Sequence, residues 1–254
     1  MITVHDLHKT YAAKAVLNAV NVEFPARRLT SLIGPNGAGK TTLLMSMARL
    51  LEPSRGEIFI GRQRIADIPT REYAKRVATL RQAADFNLRL TVEELVAFGR
   101  FPYSRGALTE QDRQAVDDAI AFLELQPLRQ AYFDELSGGQ RQMAFLAMTI
   151  AQQTDLLLLD EPLNNLDIKH AVHIMRALRR LCDEQGRTVI LVVHDINFAA
   201  SYSDYIVAMK RGAVQCTGSV AEVVTEARMS ELYGLNFEIT QGRHGRLCNY
   251  FNPL

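Results

Sequence analysis

Apolar residues along this chain follow three spacings, and each predicts a different element. Near the start, Ile2, Val4 and Leu7, then Val20, Val22 and Phe24, alternate with polar or small neighbours. Alternation predicts half-buried strands, here an antiparallel pair. Leu29-Thr30-Ser31-Leu32-Ile33, Leu156-Leu157-Leu158-Leu159 and residues 188–193 are continuous, β-prone runs. They predict strands buried on both faces, as a parallel sheet requires. Helical spacing occurs after residue 40 as far as Leu50-Leu51, over 143–151, and from about 168 to 184, where Gly186 stops it. Shorter strands are expected at 56–61 and 77–80. Residues 206–209 and 213–216 read as a hairpin, 220–224 and 229–233 as helical, and the tail to Leu254 as strand-like.

Between about 91 and 132 strand signal gives way to helical periodicity. Thr91 with Glu94, and Thr109 with Asp112, each pair an N-cap hydroxyl with a carboxylate at N3, the capping box. The segment 101–106 between them reads as a loop. Residues 83–135 are thus a helical insertion in an α/β chain, with no repeats, low-complexity tracts or long linker.

Composition narrows the classes. The chain has 254 residues, 48% of them hydrophobic, enough for a sizeable core. Its formal net charge is +1, from 29 basic and 28 acidic residues, which argues against a nucleic-acid surface. No apolar run approaches the roughly 18 residues of a membrane span. The N-terminus lacks signal-peptide character, so a cytoplasmic protein is expected. Cys182, Cys216 and Cys248 are far apart and odd in number, which suggests reduced thiols.

The chemistry centres on Gly34-Pro35-Asn36-Gly37-Ala38-Gly39-Lys40-Thr41, followed by Thr42. This is G-x-x-x-x-G-K-[ST], the phosphate-binding loop, between a strand end and a helix start as its chemistry demands. Helix N-terminal N–H groups attract an anion, and glycines let the backbone close around it. Lys40 can reach the β- and γ-phosphates, and the Thr41 hydroxyl can ligate Mg²⁺. The strand at 156–159 delivers Asp160 and Glu161 to the crevice at a sheet's C-terminal edge. Asp160 can hold Mg²⁺ through water, and Glu161 can orient or deprotonate a water. Leu136-Ser137-Gly138-Gly139-Gln140 opens another helix. Ser137 is a good N-cap, and two bare glycines make a second anion site. His194, at the end of the next buried strand, could hydrogen-bond a γ-phosphate. Tyr11 could stack on a base. His170 and His173, one turn apart, read as a solvated helix face rather than a metal site.

The order Tyr11, 34–42, Gln82, 136–140, 156–161, 164–167, His194 resembles the ATP-binding subunit of ABC transporters over nearly the whole chain. The resemblance implies the ABC ATPase fold: a P-loop NTPase core with a mostly parallel sheet, an antiparallel β-subdomain and a helical insertion. It implies a RecA-like core with that β-subdomain over 1–82 and 154–254, and a helical signature subdomain over about 83–153. It assigns these stretches as the A-loop, Walker A, Q-loop, signature, Walker B with catalytic Glu161, D-loop and H-switch. ATP and Mg²⁺ are the implied ligands, with Gln82 touching Mg²⁺ or water. The implied assembly is a head-to-tail homodimer with each ATP between one Walker A and the other copy's Ser137, Gly138, Gly139 and Gln140. Polytopic membrane permease subunits, and indirectly a substrate-binding protein, complete it on the cytoplasmic face of the plasma membrane. The D-loop here is Asn164-Asn165-Leu166-Asp167 where many members have Ser-Ala-Leu-Asp, and Met143 stands where Arg is frequent. With residues 91–96, 99–102 and 162–167, the chain looks most like ATPases of ferric-siderophore importers. Haem, vitamin B12 or other metal-chelate import is the alternative, and a non-transport ABC ATPase a more remote one.

Overall fold

The buried runs form the strands that carry the loop and the carboxylates. The computed structural model describes residues 1–12, 14–81, 89–243 and 245–251. In chain order the first elements are β1 (Ile2–Tyr11), β2 (Lys14–Phe24), β3 (Leu29–Ile33), α1 (Lys40–Met47), β4 (Arg55–Ile60) and β5 (Gln63–Arg64). Then come α2 (Thr70–Ala74), β6 (Val77–Leu80), α3 (Val92–Ala97), α4 (Phe101–Ser104), α5 (Glu110–Phe122), α6 (Gly138–Ala151), β7 (Leu156–Asp160) and α7 (Ile168–Asp183). The last are β8 (Thr188–Val192), α8 (Ile196–Tyr202), β9 (Tyr205–Lys210), β10 (Ala213–Ser219), α9 (Val220–Val223), α10 (Glu226–Tyr233), β11 (Glu238–Gly242) and β12 (Gly245–Asn249). The chain divides into two compact units, one of residues 1–68 with 188–254 and one of residues 69–187.

In the first unit β1 pairs antiparallel with β2 and β4, as the alternating pattern predicts. Its other sheet sets β3 between β8 and β9, parallel to both, with β10 antiparallel at the edge. Every residue of β3 and β8 is buried, so their near-continuous apolar character fits a sheet covered on both faces. The helix after the phosphate loop is shorter than the apolar spacing predicts. It ends at Met47, because Arg49 turns left-handed (φ 58) and the Leu50 and Leu51 N–H groups donate back to the Met45 carbonyl. This satisfies the orphan carbonyl of the last turn. Leu50 is left exposed.

In the second unit β6 and β7 pair in parallel, and α3, α5 and α6 pack together. The segment expected as a loop after residue 100 is a helical turn, α4. Pro102 suits a first turn, where its missing N–H is not needed. The Arg71 guanidinium caps the turn, donating to the Pro102 carbonyl at 2.9 Å and the Tyr103 carbonyl at 3.2 Å. All three cysteines are free thiols, Cys182 and Cys248 buried and Cys216 half-buried.

Candidate functional site

The phosphate loop begins where β3 stops. Gly34 has φ 139, and a Cβ there would stand 2.0 Å from the Met209 carbonyl oxygen. Only glycine lets the chain leave the sheet this close to β9. Gly39 (φ 96) caps α1 with no side-chain hydrogen bond, so backbone N–H groups form the cap. Lys40 is only 5% exposed. Its ammonium donates to the Gly34 carbonyl at 2.6 Å and the Pro35 carbonyl at 3.0 Å. A buried cation over a bare helix start fits a phosphate chain. Thr41 and Thr42 stand on the first turn of α1, and Asn36 and Gly37 are exposed at the tip.

Neighbouring elements brace this loop. The Gly212 N–H donates to the Ala38 carbonyl at 3.0 Å, and the Asn18 N–H donates to the Gly212 carbonyl at 2.9 Å. The Gly34 N–H donates to the Tyr233 hydroxyl at 3.1 Å. Burial pushes the Tyr233 phenol up to about 12, against the opposing pull of the Gly34 N–H, so it is neutral at neutral pH. In the same unit Tyr11 ends β1, the residue 48% exposed and the Lys9 ammonium 5.1 Å from its ring centre. His194 is exposed just beyond β8, and Asp195 then caps α8 by accepting from the Asn197 N–H at 2.8 Å.

The second unit holds the carboxylates and the Gly-Gly helix start. All of β7 is buried, down to Asp160 at 6% exposure. Glu161 follows in the left-handed region (φ 50), a strained conformation for a side-chain-bearing residue of the kind found at functional turns. The side-chain amide of Asn164 donates to the Glu161 carboxylate, and the Asn164 N–H donates to the Glu161 carbonyl at 3.2 Å. Ser137 and Gln140 form a reciprocal capping box at α6. The Ser137 hydroxyl accepts from the Gln140 N–H at 3.3 Å, and the Gln140 side-chain Oε1 accepts from the Ser137 N–H at 2.9 Å. Gly138 is left exposed at the helix start. Gly139 faces the His170 ring, where a Cβ would come within 2.6 Å of an imidazole carbon.

His170 therefore does more than line a solvated helix face, contrary to the expectation from spacing. Asp167 caps α7, accepting from the His170 N–H at 2.8 Å and meeting its imidazole Nδ1 at 2.9 Å. These contacts, the backbone one first, hold the Asp167 carboxyl below its ordinary value. One imidazole so links the Asp167 turn to the start of α6. Gln82 lies outside the described residues. Sequence reading named Asn164 in the D-loop without its contact to Glu161, and missed Tyr233. An amide three residues after Glu161, in a turn opened by Pro162, is a local signal for that contact. Nothing in the spacing points to Tyr233.

Comparison with known proteins identifies the family. A family model described as ABC transporter matches residues 17–164. The petrobactin import ATP-binding protein YclP of Bacillus subtilis is 46% identical over 252 residues, covering 99% of this chain and all of that protein. The ferric enterobactin transport ATP-binding protein FepC of Escherichia coli is 37% identical, covering 89% of this chain and 84% of that protein. Among solved structures, the dimeric bacterial ABC transporter cassette MJ0796 superposes with a TM-score of 0.76 at 31% identity, over 87% of this chain and 99% of that one. A chain from an ABC transporter in an inward-facing conformation superposes at 0.84 over 98% of both chains, and at 23% identity that likeness speaks for the fold alone. With its phosphate loop, Gly-Gly helix start and buried Asp160 strand in the family's order, this chain belongs to the ATP-binding subunits of the ABC transporter family, which hydrolyse ATP.

Proposed function

We propose that this chain is the motor subunit of an importer that takes up a ferric siderophore through partner membrane subunits. The observation that carries this reading is full-length similarity to petrobactin import ATP-binding proteins, 46% and 45% identical over 99% and 98% of the chain. In the proposed cycle Tyr11 stacks on adenine. The backbone of Gly34, Pro35, Asn36, Gly37, Ala38 and Gly39 cradles the phosphates, and Thr42 supports the loop from α1. Lys40 exchanges its loop carbonyls for the β- and γ-phosphate oxygens. Glu161 accepts the proton of the attacking water, and His194 hydrogen-bonds the γ-phosphate. Thr41, Asp160 and Gln82 are the residues proposed to hold Mg²⁺, which would neutralise charge on the phosphate oxygens.

Two copies are proposed to pair head to tail. Ser137, Gly138, Gly139 and Gln140 of one then face the nucleotide held by the other, with Asp167 at the same interface. ATP joins the copies, and its hydrolysis releases them. No helix among the described residues is long and apolar enough to cross a membrane. We place the protein peripherally, on the cytoplasmic face, against a polytopic permease that receives its cargo from a substrate-binding protein. Phe98 and Phe101, 55% and 60% exposed and three residues apart, support docking there. Exposed aromatics clustered on one face are a common mark of a protein interface.

Deleting the gene should abolish growth on one ferric siderophore as sole iron source and spare growth on free iron salts. If every siderophore still feeds a deletion strain that has no substituting ATPase, the cargo assignment fails while the ATPase assignment stands. Co-purification with a polytopic membrane protein tests the partner.

A further inference from the structure

The C-terminal end of the chain is tied to the phosphate loop by contacts that no nucleotide-binding motif contains. Tyr233 is the last residue of α10, and Gly234 (φ 72) turns the chain out of that helix. The β11–β12 hairpin then returns alongside. Residues flanking the hairpin, Phe237 before it and Tyr250 and Phe251 after it, continue an aromatic row from Tyr233, with successive ring centres 5.7, 5.3 and 4.6 Å apart. The row fixes the Tyr233 ring at one end, and the hydroxyl at its tip accepts the Gly34 N–H.

The hairpin is anchored by a second device. Asn197, in the first turn of α8, accepts from the Cys248 N–H at 2.8 Å and donates to the Cys248 carbonyl at 3.3 Å. A side-chain amide so takes the place of a strand neighbour for β12. The Ile239 N–H donates to Glu226 at 3.0 Å and the Phe237 N–H to Ser230 at 3.2 Å, which ties the hairpin to α10 as well.

Gly34 is therefore held through both of its backbone groups, its N–H by Tyr233 and its carbonyl by Lys40. When the Lys40 ammonium turns to a phosphate, the grip on the carbonyl is released and the grip on the N–H persists. We propose that Tyr233, seated by the C-terminal hairpin, is a positioning residue that holds the phosphate loop in its binding shape, so that the hairpin sets the affinity for ATP. This rests on the ATP-binding reading above.

Tyr233→Phe tests it, because the ring and its stacking on Phe237 remain and only the acceptor is lost. One neutral hydrogen bond corresponds to roughly a 3- to 10-fold change in binding. The KM for ATP should rise by about that factor, with a smaller fall in kcat at saturating ATP. The Gly34 amide proton should move upfield in the ¹⁵N–¹H spectrum of the nucleotide-free protein. Asn197→Ala, which loosens the hairpin without touching the loop, should raise the KM in the same direction. Unchanged KM in both variants, or KM and kcat worsening in proportion with a falling melting temperature, overturns the positioning role alone. Failure of the parent protein to bind ATP overturns this inference together with the reading it rests on.

Discussion

Glu161 stands one residue beyond a strand buried throughout, on a left-handed backbone, with the Asn164 amide on its carboxylate. Glu161→Gln preserves that shape and removes the proposed base. Turnover, read as phosphate release, should fall by about 10²-fold or more while ATP binding persists. Near-normal turnover would remove Glu161 from the reaction. In the proposed cycle Asn164 takes no proton, and its amide orients the Glu161 carboxylate. Asn164→Ala should lower kcat by roughly 3- to 10-fold, the worth of one hydrogen bond, and leave the KM for ATP close to the parent's. Tyr11→Ala should lose roughly 1 kcal/mol of nucleotide binding, and Tyr11→Phe little, if the exposed ring stacks on the base. Titration with a fluorescent ATP analogue separates these variants, and equal affinities return Tyr11 to packing.

Among elements, the helical segment depends on one buried ion pair. The Arg100 guanidinium donates to Asp112 at 2.9 Å and to the Ala151 carbonyl at 2.8 Å, and lies 4.0 Å from the centre of the Tyr103 ring. It thus joins α4, the start of α5 and the end of α6, and both side chains are at most 5% exposed. Removing one partner strands the other charge in the interior. Arg100→Met should cost roughly 3–5 kcal/mol of stability, measured by urea unfolding. Burial alone would raise the Asp112 carboxyl. The hydroxyl and N–H of Thr109 and the Arg100 guanidinium outweigh it and leave the pKa below the ordinary 3.8. A depressed carboxyl contributes stability that is present above its unfolded value and lost as the pH falls through the folded one. Unfolding midpoints should therefore drop steeply in acid below about pH 4. In Asp112→Asn that part of the acid dependence should disappear.

For the molecule as a whole, the proposed head-to-tail pairing gives the exposed start of α6 a role at the nucleotide of a second copy. In a Glu161→Gln background, ATP should convert the monomer to a dimer on size-exclusion chromatography. Adding Gly139→Ala places a Cβ within 2.6 Å of the His170 ring and disturbs that helix start. The double variant should bind ATP and remain monomeric. A dimer of undiminished stability would show that this helix start does not form the joint.

What the residues determine by themselves is local. The capping boxes at Thr91, Thr109 and Ser137 are all formed, because each needs only residues three apart in a helical turn. The strand, phosphate loop and helix at 29–47 follow from apolar runs, glycine freedom and one lysine, and the antiparallel β1–β2 pair from alternation. Packing decided the rest. Arg71 caps α4 from 31 residues away and makes a helical turn where spacing suggests a loop. His170 meets Gly139 because α7 packs its first turn against the start of α6. Tyr233 reaches Gly34 across 199 positions, and Asn197 reaches Cys248 across 51. Periodicity records only which face of an element is apolar. Which groups that face meets depends on how remote segments close on one another, and no spacing along the chain encodes it.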